Sequence, residues 1–131
     1  MVGGLVAGFV CAAVIARLAF GTLEAVWPEY AAAVPDRAYT LPMMWSRLSV
    51  AAALTMVSGL VAALVAADRR AAWLFGTLLM LASLPSHLYY VWAAYPPWYH
   101  AIYLASLVPL SWVGGRAAPL SSRESSAKSA A

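Results

Sequence analysis

Four long apolar stretches, separated by short polar joints, constrain the fold of this 131-residue chain more than any other feature. They cover residues 2–20, 48–67, 71–92 and 98–113. A helix needs about 20 apolar residues to cross a hydrocarbon layer roughly 30 Å thick, and these stretches meet or approach that length. Because 64% of the residues are hydrophobic and only 10% are charged, a soluble fold of this size could not bury the apolar surface. The sequence therefore predicts a membrane-spanning protein.

The predicted fold class is all-α, an antiparallel four-helix membrane bundle formed by residues 1–115 as one domain. The joints between the stretches are short, so successive helices are expected to run in opposite directions. We expect helices at about residues 2–26, 47–67, 71–92 and 98–114. Residues 27–46 are predicted to form a periplasmic loop with a short helical turn at 29–33. The serine-rich end, residues 116–131, has little apolar surface to bury and is predicted to be a polar cytoplasmic tail.

The basic residues indicate the orientation of the chain. With four spans, both termini and the joint at residues 68–70 share one side, which collects Arg69, Arg70, Arg116, Arg123 and Lys128. The opposite side has Arg37 and Arg47 in its first loop and no basic residue at positions 95–97. The positive-inside rule then predicts a multi-pass protein with both termini in the cytoplasm. Because the basic residues form no stripe, no nucleic-acid partner is expected.

Small residues recur every fourth position along the first predicted helix, at Gly4, Gly8, Ala12 and Ala16. Such a ridge allows another backbone to approach closely in lipid, so this face is expected to be buried against protein. Packing within the chain and a dedicated dimer contact both remain open.

Five ionisable residues are predicted to lie at membrane depth near the outer surface: Arg17, Glu24, Arg47, His87 and His100. Such residues are candidate functional sites because a charge is costly in hydrocarbon. We expect one polar pocket, lined also by tyrosines at positions 89, 90, 99 and 103. Three interpretations remain open: a structural role, a site for a lipid, quinone head group or anion, and haem or chlorophyll ligation by the two histidines. Helix geometry places His100 roughly 7 Å nearer the outer surface than His87, which argues against one shared haem.

Catalytic patterns are not found in this sequence. Cys11 is the single cysteine, no metal-ligand spacing of histidines is present, and neither a glycine-rich phosphate loop nor a nucleophile elbow occurs. The protein is therefore not expected to be an enzyme or to carry a metal. No cofactor is expected, with lipid, quinone or pigment as the open alternatives.

The last third of the chain contains Tyr95-Pro96-Pro97-Trp98-Tyr99-His100, then an apolar run with Pro109, and it closes on Gly114-Gly115-Arg116. This segment resembles the last helix of small four-span bacterial inner-membrane proteins of uncharacterised function. The resemblance implies the topology and a bacterial inner membrane, and it implies no activity.

The functional expectation is an accessory or structural subunit that packs against other transmembrane subunits and lipids in a larger membrane complex, photosynthetic or respiratory. Two alternatives are a homo-oligomeric transporter or channel and a module that binds a ligand in the outer pocket.

Overall fold

The computed structural model describes residues 1–120, which are helical and contain no strand. The helices are α1 (Val2–Val26), α2 (Pro28–Ala33), α3 (Leu41–Ala66), α4 (Arg70–Pro85) and α5 (Pro97–Arg116). The expectation of an all-α fold is confirmed for this range. Most of the predicted tail, residues 121–131, lies outside it, as do the orientation markers Arg123 and Lys128.

Within residues 1–120, three helical segments are long and apolar enough to cross a membrane: Val2–Val26, Leu41–Ala66 and Arg70–Tyr90. The chain is thus compatible with a transmembrane helical protein. The 20-residue helix α5 packs against both α3 and α4.

Helix α3 lies at the centre of the bundle and contacts α1, α4 and α5. Gly4, Gly8 and Ala12 of the small-residue ridge are buried, and Ala16 is half-buried. A Cβ atom on Gly8 would lie 2.9 Å from the Phe75 ring of α4 and 3.1 Å from the Ala62 side chain of α3. The ridge therefore packs within the chain.

Helix α3 begins at Leu41, six residues before the predicted start at residue 47. Thr40 is the N-cap, and its backbone N–H donates to Met43 Sδ at 3.5 Å. Pro42 is tolerated in the first turn because the backbone N–H groups there have no partner within the helix. The loop predicted at 27–46 is consequently shorter and contains α2, which matches the expected short helical turn.

The predicted helix at 71–92 is interrupted at Pro85, which has no N–H to continue the α-helical hydrogen bonds. A π-helical turn at Ser86–Tyr90 follows, in which the Val91 N–H donates to the Ser86 carbonyl at 3.1 Å. Turns of this kind occur frequently at functional sites. This one carries His87.

Candidate functional site: a cavity beside Arg47

A cavity of about 410 Å³ lies between α1, α3 and the connection from α4 to α5. Helices α1 and α4 contact each other where Phe9 meets Phe75, with ring centroids 5.0 Å apart. Beyond this contact, toward the α4–α5 connection, the cavity separates the two helices. Its lining is mostly apolar and aromatic, with polar groups from Arg47, Thr55, Ser86, His87, Tyr95, Tyr99 and Tyr103.

Arg47 places a cation in the wall of this cavity. Its Nη1 donates to the hydroxyl of Tyr30 at 2.5 Å and to that of Tyr39 at 3.3 Å. The guanidinium carbon lies 4.8 Å from the centre of the Phe20 ring and 4.6 Å from that of Tyr39. Its Nε is buried without a hydrogen-bond partner, and Arg47 forms no salt bridge with any carboxylate of residues 1–120. The charge is therefore held by hydroxyls and ring faces alone.

Burial favours the neutral form of two phenols outside the long helices, Tyr30 and Tyr95. Burial raises the pKa of Tyr95 from 10.0 to about 12, although the Arg47 charge acts in the opposite direction. Burial likewise raises the pKa of the fully buried Tyr30, again opposed by Arg47. Neither Tyr30 nor Tyr95 supplies a phenolate to neutralise the guanidinium.

His87 and His100 contact each other directly, with their Nδ1 atoms 2.8 Å apart and their ring centroids 5.1 Å apart. The Nε2 of the buried His100 lies 3.3 Å from the carbonyl oxygen of Trp92. His87 stacks on Tyr103 at a centroid distance of 4.4 Å. The predicted offset of roughly 7 Å between His87 and His100 along the helix axis assumed regular α-helices. The two rings nevertheless meet, because His87 lies on the π-helical turn.

This pairing bears on the pigment interpretation. Both ring nitrogens of His100 have hydrogen-bond partners, so neither is free to ligate iron or magnesium. The described part of the chain contains no group of three or more His, Cys, Asp and Glu side chains that could hold a metal ion.

The five predicted pocket residues do not form one pocket. Arg47 and His87 line the cavity, and His100 lies behind His87. Arg17 and Glu24 do not line the cavity; they lie on the exposed side of α1, in a neighbouring depression that shares Ala13, Ala16 and Phe20 with it. Of the four predicted tyrosines, Tyr99 and Tyr103 line the cavity, whereas Tyr89 and Tyr90 are 81% and 78% exposed. The depth of a residue along a predicted helix can be counted from the sequence. The direction in which its side chain points cannot be counted in this way, because it depends on how the helix is rotated.

Three tyrosines that surround Arg47 are not among the predicted site residues: Tyr30, Tyr39 and Tyr95. In the sequence, these tyrosines are indicated only by the aromatic content of the first loop and of the Tyr95-Pro96-Pro97 turn. Comparison of the chain with protein-family models, with curated proteins and with solved structures finds no match.

Proposed function

We propose that this protein is a small four-helix membrane protein that binds a single-chain anionic amphiphile in the cavity beside Arg47. The observation that carries the proposal is the half-buried guanidinium, which has no carboxylate partner within residues 1–120. A cation removed from water is costly unless it is paired, and a ligand anion would supply the missing charge. Arginine is suited to this role because its planar group can bind two oxygens of one carboxylate or phosphate.

The rest of the cavity suits an apolar chain. Phe9, Leu54 and Leu79 line it away from Arg47, and its volume of about 410 Å³ lies in the range typical of small-molecule sites. Two residues of the lining, Ala13 on α1 and Ser86 beyond α4, are exposed. The cavity therefore opens sideways between these helices, and an amphiphile would enter from the lipid.

The proposal includes the finer topology: four spans, both termini in the cytoplasm, and a bacterial inner membrane. Close packing supports treating α5 as the fourth span. A Cβ atom on Gly76 of α4 would lie 3.0 Å from the backbone of Leu107 and Val108 in α5. Arg69, Arg70 and Arg116 lie at the end of the bundle opposite the cavity, which is the cytoplasmic end under the positive-inside rule.

Binding of dodecanoate to the purified protein in nonionic detergent tests the proposal. The unaltered protein should bind dodecanoate and bind dodecanol more weakly. Arg47→Gln should weaken dodecanoate binding by roughly 10-fold to 100-fold, the range for loss of a charged hydrogen bond. Arg17→Gln is the matched control, because Arg17 is an arginine outside the cavity, and it should bind as the unaltered protein does. Equal affinity for the acid and the alcohol would overturn the proposal.

A second candidate function is that of an accessory subunit packed against partner helices in a respiratory or photosynthetic complex. One observation favours it: Arg17 is exposed well inside a membrane-length helix, above an exposed apolar row formed by Val6, Val10 and Val14. A partner helix covering this face would shield the charge from lipid. Purification in mild detergent tests this candidate: a defined hetero-complex supports the accessory subunit, and recovery of this chain without any partner contradicts it.

A further inference from the structure

The contact between His87 and His100 indicates which chemical groups the head of the bound ligand carries. This inference rests on the proposed function. His100 Nε2 faces the carbonyl oxygen of Trp92, which can only accept a hydrogen bond. His100 therefore carries its proton on Nε2 when it is neutral. Its Nδ1 is then an acceptor, and this atom lies 2.8 Å from His87 Nδ1.

The tautomer of His87 follows from that of His100. His87 Nδ1 must donate to His100 Nδ1, so a neutral His87 keeps its proton there and has a lone pair on Nε2. The His87 ring lines the cavity, and its Nε2 makes no hydrogen bond within residues 1–120. The cavity wall thus contains a hydrogen-bond donor, Arg47, and a hydrogen-bond acceptor, His87 Nε2, whose tautomer is fixed by His100.

We propose that the amphiphile bound here carries a hydroxyl group on its anionic head, with the anion on Arg47 and the hydroxyl donating to His87 Nε2. An unsubstituted anion would satisfy only Arg47 and would leave the imidazole nitrogen unpaired in an apolar cavity, which is unfavourable. An ether oxygen at the same place could not donate, so it would meet the lone pair without forming a hydrogen bond.

Three single-chain acids of matched length test the inference: dodecanoate, 2-hydroxydodecanoate and 2-methoxydodecanoate, titrated into the detergent-solubilised protein by calorimetry. The hydroxy acid should bind roughly 3-fold to 10-fold more tightly than the methoxy acid, as expected for one hydrogen bond. His87→Phe keeps an aromatic ring against Tyr103 and removes the acceptor. In that variant the two substituted acids should bind equally, and dodecanoate should still bind.

His100→Phe provides a second test, since it removes the partner that fixes the tautomer of His87. His87 can then carry its proton on Nε2 and donate to the methoxy oxygen, so the preference for the hydroxy acid should fall toward 1. Thermal unfolding of each variant shows whether the fold is retained.

The outcomes separate this inference from the proposed function. Equal binding of the substituted acids by the unaltered protein, with dodecanoate binding still weakened by Arg47→Gln, would overturn the hydroxyl inference alone. Failure of all three acids to bind would overturn both proposals.

Discussion

Arg47 shows how a single side chain can keep a charge at the end of an apolar bundle. Two phenol hydroxyls accept from its Nη1, and the rings of Phe20 and Tyr39 face its guanidinium. Cation–π contacts of this kind are worth roughly 0.5–2 kcal/mol each, more when they are desolvated. They offset part of the cost of dehydrating the cation but supply no negative charge, and no carboxylate of residues 1–120 pairs with it.

The raised pKa of Tyr95 predicts a loss of stability at alkaline pH. Its pKa is about 12 in the folded protein and close to 10.0 when unfolded, so burial favours the neutral phenol. The contribution of the buried phenol to the free energy of unfolding is complete below pH 10 and is lost as the pH rises to about 12. Denaturant unfolding at several pH values should show stability falling over this window, less steeply for Tyr95→Phe. If stability fell equally steeply with pH in the unaltered protein and in Tyr95→Phe, the raised pKa of Tyr95 would be contradicted.

Gly114 should tolerate no larger residue, because a Cβ atom there would collide with the backbone of Met56 in α3. Gly114→Ala is expected to destabilise the protein by about 1–3 kcal/mol, a typical cost of overpacking. Gly21→Ala is the control, since nothing lies within 4 Å of that position and alanine is the better helix former. It should be neutral or stabilising by up to about 1 kcal/mol in thermal unfolding. Equal effects of both changes would contradict the close approach of α3 and α5.

Individual residues also show which features of the site could be predicted from the sequence and which could not. The depth of Arg47 and His87 followed from counting along apolar stretches, and both line the cavity. Arg17 and Glu24 lie at comparable depth but on the exposed side of α1, because the rotation of a helix depends on what packs against it. The axial offset of roughly 7 Å predicted between His87 and His100 from regular helices does not separate their rings, because His87 lies on a π-helical turn.

Among the helices, α3 and the α4–α5 connection differ most from expectation. The segment Leu41–Ser46 falls in the loop predicted at residues 27–46, but it forms the start of α3, where Pro42 is favoured in the first turn. The helix predicted at residues 71–92 is not continuous, because α4 ends at Pro85 and a π-helical turn follows. The sequence could locate the proline but not the hydrogen bonds that replace the lost one.

Pro85 is predicted to position the cavity's acceptor. Pro85→Ala restores an N–H donor, so α4 should extend through residue 90 and His87 should turn away from His100. Binding of 2-hydroxydodecanoate should fall by about 5-fold or more, while stability is unchanged or increased. Pro109→Ala in α5 is the control, because Pro109 is exposed and lies outside the cavity lining. Similar affinities in both variants would contradict this role for the π-helical turn.

In the molecule as a whole, α3 is covered by α1, α4 and α5, whereas α1 has one covered side and one exposed side. The packing of α1 on α3 and α4 at Gly8 leaves the half of the α1–α4 interface nearer the α4–α5 connection open, and this opening forms the cavity. The apolar stretches predicted the helices, but the place where two of them separate depends on pairwise packing that the sequence does not reveal.

The topology should be visible in reporter fusions. Fluorescent protein fused after residue 131 should fluoresce, because both termini are proposed to lie in the cytoplasm. Alkaline phosphatase inserted at residue 38, between α2 and α3, should be active in the periplasm. The reverse pattern would place the cavity at the cytoplasmic end and contradict the proposed orientation.

Photo-crosslinking with a diazirine-bearing fatty acid, followed by peptide mapping, tests most directly whether the cavity holds an anionic amphiphile. Labelling is predicted at cavity residues such as Leu54 and Leu79, with competition by dodecanoate and loss in Arg47→Gln. Labelling confined to the exposed row at Val6, Val10 and Val14, unaffected by competitor or substitution, would show that the fatty acid meets this protein only as bulk lipid and would contradict the proposed function.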